Sequence, residues 1–132
     1  APAPSAAQAA PAARLVWPAQ GPVIGKFDGS RNKGIDIAGQ AGAPVVAAEA
    51  GRVVYAGSEL RGYGNLVIVK HSEQLLTAYA HNRKILVKEN QTVRQGQRIA
   101  EMGSSGTDRV KLHFEVRRDG NAVDPMPYLP KP

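Results

Sequence analysis

The sequence predicts an all-β domain, a compact sandwich or barrel of many short antiparallel strands. Apolar runs of strand length recur along almost the whole chain, separated by turn residues. The 14 glycines and 10 prolines among 132 residues are high for a helical protein and supply many turns. No stretch carries the 3.6-residue apolar period of an amphipathic helix. The length suits one hydrophobic core and not two.

Residues 1–14 are nearly all Ala and Pro, without a large apolar side chain. Such a segment cannot offset its ordering entropy by burial, so it is expected to be a linker, with the domain spanning 15–132. The chain starts at an alanine, as a mature or excised fragment would, and the linker is expected to hold the domain away from something upstream. Order is expected to begin near Leu15-Val16-Trp17-Pro18. Residues 23–27 read as a short strand, 28–33 as a polar turn, and 34–38 as a strand with Ile35 and Ile37 facing away from Asp36. Residues 44–48 and 51–57 read as strands split by a tight turn at Glu49-Ala50-Gly51. The glycine-bracketed stretch Leu60-Arg61-Gly62-Tyr63-Gly64-Asn65 reads as an exposed loop.

Residues 66–70 form a continuous apolar run ending at His71, which reads as a surface residue. Residues 75–81 alternate, which puts Leu75, Thr77, Tyr79 and His81 on one face. Short strands are expected at 84–87, 92–93 and 98–102. A turn at 103–107 then leads into Lys111-Leu112-His113-Phe114-Glu115-Val116. In that strand Lys111, His113 and Glu115 share one face, and Leu112, Phe114 and Val116 the other. Pro125, Pro127 and Pro130 close the domain.

The formal net charge is +6, from 17 Lys and Arg against 11 Asp and Glu, which favours anionic partners. Aromatic residues are only 5%, and no basic run is interleaved with them, so the pattern of a nucleic-acid binder is missing. The absence of cysteine excludes disulfides and thiol chemistry. No apolar run approaches the roughly 20 residues that span a bilayer, so membrane attachment would need an anchor that this chain does not carry.

Three segments hold polar residues that an all-β core does not require: Asn32-Lys33-Gly34-Ile35-Asp36, Tyr79-Ala80-His81 and Lys111-Leu112-His113. Singly, each has an ordinary explanation. Asp36 fits a turn carboxylate, His81 a structural residue at a strand end, Tyr63 a loop aromatic or a binding residue, and Lys111 a solvated strand lysine. A metal at His113 would face the Lys111 cation on the same strand face. Together with Gly62-Tyr63-Gly64-Asn65-Leu66-Val67-Ile68-Val69-Lys70-His71, Val93-Arg94-Gln95-Gly96-Gln97 and Leu112-His113-Phe114-Glu115-Val116, these segments resemble the LytM (lysostaphin-type) zinc peptidase domain of bacterial cell-wall hydrolases. The resemblance covers about residues 15–130.

Carried over position by position, the resemblance places the three zinc ligands at Asn32, Asp36 and His113, and the two catalytic histidines at Lys111 and His81. Asp36, His81 and His113 match the active pattern, whereas Asn32 and Lys111 depart from it. A catalytic zinc takes three protein ligands and a water, and an amide oxygen is a poor replacement for imidazole. Protonated lysine has no acceptor and cannot serve as a general base. The expectation is a pseudo-peptidase with no metal, no cofactor and no cleavage, in which the Lys111 ammonium stands in for the ion beside Asp36.

Within the family, the departures and the Ala/Pro linker are similar to those of the murein hydrolase activators. That resemblance implies a non-catalytic activator of periplasmic N-acetylmuramyl-L-alanine amidases, acting in peptidoglycan hydrolysis and daughter-cell separation. It also implies a place on the periplasmic side of the Gram-negative envelope, with the full-length protein tethered to the outer membrane as a lipoprotein. Lys33, Arg61, Tyr63, His81 and Lys111 are the expected partner-binding groove. The alternatives are a weak zinc endopeptidase with an altered metal site and a plain peptidoglycan-binding module.

Overall fold

A computed structural model describes residues 15–131. The expected linker at 1–14 lies outside the described residues. The strands are β1 (Val23–Gly25), β2 (Ile35–Ala38), β3 (Pro44–Val46), β4 (Gly51–Gly57), β5 (Asn65–Lys70), β6 (Leu75–Ile85), β7 (Thr92–Val93), β8 (Arg98–Met102), β9 (Lys111–Arg118) and β10 (Asn121–Val123), and a short 3-10 turn follows at Met126–Tyr128. All ten join one antiparallel sheet. Its main path runs β1-β2-β9-β6-β5-β4-β7, with β10 on β9 and with β8 bridging β6 and β3. Among the described residues, no helix is long and apolar enough to cross a membrane.

The pleat sorts the side chains. Ile35 and Ile37 of β2, Val67 and Val69 of β5, Tyr79 of β6, and Leu112, Phe114 and Val116 of β9 all enter one buried cluster. Tyr79 and Phe114 sit opposite each other in the β6–β9 ladder, and their rings pack at 5.4 Å between centroids. The Tyr79 hydroxyl is buried but satisfied. It accepts from the Ala48 backbone N–H at 2.9 Å and lies 2.6 Å from Thr77 Oγ1. Burial pushes its pKa up to about 12, so it remains a neutral phenol. At the domain's start, Leu15 N–H donates to the Tyr128 carbonyl and Trp17 Nε1 to the Pro130 carbonyl, which ties the first described residues to the last.

Several expected elements differ. The strands at 44–48 and 51–57 do not form a hairpin, because β3 pairs with β8 while β4 pairs with β5 and β7. The separate strand expected at 84–87 is the far end of β6, eleven residues long. Residues 75–80 of β6 pair with β9, and residues 82–85 pair with β8. One continuous strand thus serves two ladders. The final hairpin, β9 to β10, was not expected. Asp119 (φ 52°) and Gly120 (φ 85°) form its two-residue turn, and that Asp-Gly pair is a legible hairpin signal. His71 is not a free surface residue either. Its Nδ1 lies 2.8 Å from the Ala50 carbonyl and its Nε2 lies 2.8 Å from Thr77 Oγ1.

Candidate functional site

The site sits on the sheet face opposite the main core. Strands β2 and β9 pair so that Asp36 lies directly across from His113, which fixes their side chains together on that face. His113 Nδ1 is 2.9 Å from Asp36 Oδ1, and its Nε2 is 2.8 Å from Glu115 Oε2, two residues along the same strand face. Both ring nitrogens are therefore engaged by carboxylates. Burial alone would lower the His113 pKa. The hydrogen bonds and negative charges of Asp36 and Glu115 overcome this and push it up to about 9. His113 is consequently an imidazolium at neutral pH, donating from both nitrogens.

The carboxylates respond in the opposite sense. Burial disfavours ionised Asp36, but the His113 hydrogen bond and charge, helped by Lys111, hold its pKa below the usual value. Glu115 is only 2% exposed, and burial likewise disfavours its charge. His113 and Arg117 outweigh that and keep it low. Arg117 Nε donates to Glu115 Oε1 at 2.9 Å, and the Tyr63 hydroxyl donates to Oε2 at 3.0 Å. At the other end, Asn32 Nδ2 donates to Asp36 Oδ2 at 3.3 Å, while Asn32 Oδ1 accepts from the Gly34 N–H at 3.1 Å. The result is one polar chain from Asn32 through Asp36, His113 and Glu115 to Tyr63 and Arg117.

Lys111 pairs with Asp36 as expected, but it is not the nearest cation. Its Nζ lies 3.8 Å from Asp36 Oδ1, a looser contact than the one His113 makes to the same oxygen. The cation closest to Asp36 is the His113 ring itself, because register places it opposite whereas Lys111 pairs with Ala38.

His81 reaches the cleft by a backbone irregularity. Strict alternation would send it to the core with Tyr79. Instead it has φ 69°, at the point where β6 changes partners, and a bulge separates the Asn65–Asn82 and Val67–Tyr79 pairs. The extra residue turns His81 to the other face, where its ring lies 6.1 Å from that of His113. Its Nδ1 donates to the Ser105 carbonyl at 2.7 Å. Burial, together with the His113 and Lys111 charges, lowers its pKa, so it is neutral beside a charged neighbour. Gly64 (φ 62°) is required here: a Cβ at this position would meet the Ser105 carbonyl oxygen at 2.3 Å. That close approach docks the Tyr63 loop onto the Ser105 turn.

These elements enclose an open cleft of about 450 Å³. All the residues singled out from the sequence line it: Asn32, Lys33, Asp36, Arg61, Tyr63, His81, Lys111 and His113. Arg31 and Glu115 also line it without having been assigned a role. Glu115 was readable from the strand alternation, which places it beside His113. Among the described residues, Arg31, Lys33 and Arg61 make no ion pair, whereas Asp36 and Glu115 are already matched by cations. The cleft is therefore basic.

The sequence matches Peptidase family M23 over residues 30–125. The chain belongs to that family. Among its M23 relatives is a lipoprotein NlpD/LppB homolog of Pseudomonas aeruginosa, 67% identical over 117 residues that cover 87% of this chain and 39% of the relative. The murein hydrolase activator NlpD of Escherichia coli K12 is 56% identical over 117 residues, covering 87% of this chain and 31% of that protein. The chain thus spans only about a third of these relatives' length. A solved zinc-containing peptidase from Vibrio cholerae superposes with a TM-score of 0.78 at 31% identity, covering 83% of this chain and 38% of that one.

Zinc is the metal that such a neighbour implies, and the residues of this M23 domain do not fit it. The two nitrogens of His113 are both tied to carboxylates, and Asn32 presents its N–H to Asp36 while its oxygen is held by Gly34. Among the described residues, no group of three or more His, Cys, Asp or Glu side chains is arranged to hold a metal ion. A catalytic zinc needs three ligands with free lone pairs and an open fourth position.

Proposed function

We propose that the domain is a pseudo-peptidase and a non-catalytic activator of a periplasmic N-acetylmuramyl-L-alanine amidase. In this reading Asn32 and Lys111 occupy the positions of a zinc ligand and a catalytic histidine. The observation that carries it is the state of His113, which is clamped by Asp36 and Glu115 and charged rather than free to bind a metal. A site filled by its own salt bridges leaves its rim available. Arg31, Lys33, Arg61 and Tyr63 then form a surface for an acidic partner element. Lys33, Arg61, Tyr63, His81 and Lys111 remain the binding set, with Arg31 added.

Relatives named as murein hydrolase activators and as lipoproteins, one an outer membrane antigenic lipoprotein of Haemophilus influenzae, support an envelope setting. In this reading the domain acts on the periplasmic side, with the full-length protein tethered to the outer membrane. An activator shifts its target only by binding the active state better than the inhibited one, so the cleft must engage an amidase element that is free only in the active state. The test is to add the purified chain to purified amidase and peptidoglycan and measure solubilised product. Product should rise with added chain to a plateau, and the chain alone should release none. No stimulation at saturating chain would refute the activator reading. Chelator-sensitive cleavage by the chain alone would instead establish the endopeptidase, and wall binding without stimulation would establish a peptidoglycan-binding module.

A further inference from the structure

Next to the basic cleft lies a second, smaller cavity of different chemistry. Alternation puts Val67 and Val69 of β5 in the core, which leaves Leu66 and Ile68 on the outer face of the sheet. A solvated outer face would carry polar residues there. Here Leu66, Ala78 and Ala80 form a separate apolar cluster with Tyr55, Tyr63 and Ile68 packed against it. Above it, between Leu60, Leu66, Ile68 and Leu76, is a pocket of about 180 Å³, room for one large apolar side chain. Leu60 at its mouth is 44% exposed.

Tyr63 and Glu115 line both this pocket and the basic cleft. The two are therefore neighbouring compartments of one surface, with the Tyr63 ring as the partition. The Tyr63 hydroxyl is fixed on Glu115, which is itself held by Arg117 and His113, so the partition is anchored. Anchored apolar pockets beside unpaired cations suit a ligand with both characters: acidic on one side, with a bulky apolar side chain adjacent. A glycan strand offers no such apolar group.

We propose that the cleft and this pocket together receive one amphipathic segment of the amidase, which presents carboxylates to Arg31, Lys33 and Arg61 and inserts a single large apolar side chain beneath Leu60. This rests on the reading of the cleft as an amidase-binding surface. The two compartments contribute differently. The cations set the salt dependence and the speed of encounter, while the pocket contributes a salt-insensitive part of the affinity.

The experiment measures binding of the full chain to the amidase that it stimulates, at several salt concentrations. Leu60→Gln and Leu76→Gln should each weaken binding by about tenfold or more, the worth of one buried aliphatic anchor, without changing the salt slope. Arg31→Gln with Arg61→Gln should weaken binding and flatten the salt slope. Leu86→Gln, at a residue 38% exposed outside the pocket, is the matched control and should change nothing. Leu60 is partly exposed already, so its variant keeps the fold even if Leu76→Gln does not, and an unchanged unfolding temperature verifies this. Affinity within about twofold of the unaltered chain for both leucine variants, with the arginine pair still weakened, overturns the apolar anchor and leaves the basic cleft standing. No binding by the unaltered chain overturns the reading of the cleft itself.

Discussion

Replacing Glu115 with Gln tests whether charge holds the cleft together. Glu115 is 2% exposed, and its two oxygens receive His113 Nε2 at 2.8 Å, Tyr63 Oη at 3.0 Å and Arg117 Nε at 2.9 Å. Gln has nearly the same volume, so the substitution removes a charge and little packing. It leaves an imidazolium and a guanidinium facing an amide that has one acceptor and brings its own N–H groups. Removing one partner of a buried ion pair costs about 3–5 kcal/mol. The Arg117 side chain is 34% exposed, so water recovers part of its loss, and we expect the lower end, about 3 kcal/mol near neutral pH.

For a domain of this size that is a fall in unfolding temperature of roughly 10 °C. The pH dependence is more diagnostic. His113 is raised from 6.5 to about 9 on folding, so its contribution is fully present below about pH 6.5 and fades as pH climbs through about 9. The gap in stability between the unaltered chain and Glu115→Gln should narrow across that window. On the acid side, Asp36 and Glu115 are held low, so their contribution is present at neutral pH and is lost as pH falls below the ordinary carboxylate values. Calorimetry near pH 3, 6, 7.5 and 9.5 covers the acid loss, the plateau and the alkaline fade. A loss under about 1 kcal/mol near neutral pH, the worth of an exposed pair, would refute the account of His113 as a clamped imidazolium. So would a gap that does not change with pH.

Three further outcomes are expected. Asn32→His combined with Lys111→His should recover zinc affinity, measured by metal analysis after dialysis, since both missing imidazoles return; a variant that still carries no zinc would mean that the His113–Glu115 tie alone blocks the site. Thr77→Val breaks the buried relay from His71 through Thr77 to Tyr79 and should cost about 2 kcal/mol in urea unfolding. Burial lowers the His71 pKa, so its contribution is present above 6.5 and is lost on acidification, and an unaltered acid profile in the Thr77 variant would sink that link. Gly64→Ala combines a positive φ with a Cβ against the Ser105 carbonyl and should lower stability by about 2 kcal/mol or more, read as a drop in unfolding temperature.

Much of the site was legible in the sequence because strand alternation is local. The pattern of β9 alone puts Lys111, His113 and Glu115 on one face, and the cleft contains all three. The same rule misplaced His81. Alternation assumes extended backbone at every residue, and the φ of 69° at His81 breaks it. Nothing in Tyr79-Ala80-His81-Asn82 announces a bulge. It arises because β6 must leave β9 and take up β8, a demand set by distant strands. His71 was misjudged for a similar reason. It borders a polar turn in sequence, yet its partners, Ala50 and Thr77, are brought to it by the β4–β5–β6 ladders.

The sequence by itself determined the fold class, most of the strands, and the set of polar residues that needed an explanation. Those follow from periods of two residues and from turn chemistry, which act over a few positions. Only the tertiary structure decided how that set is wired. Asp36 and His113 are 77 residues apart in the chain, and the β2–β9 register puts them 2.9 Å apart. That register makes His113, rather than Lys111, the cation closest to Asp36. A hydrogen bond is decided over tenths of an ångström, and no pattern along the chain carries that distance.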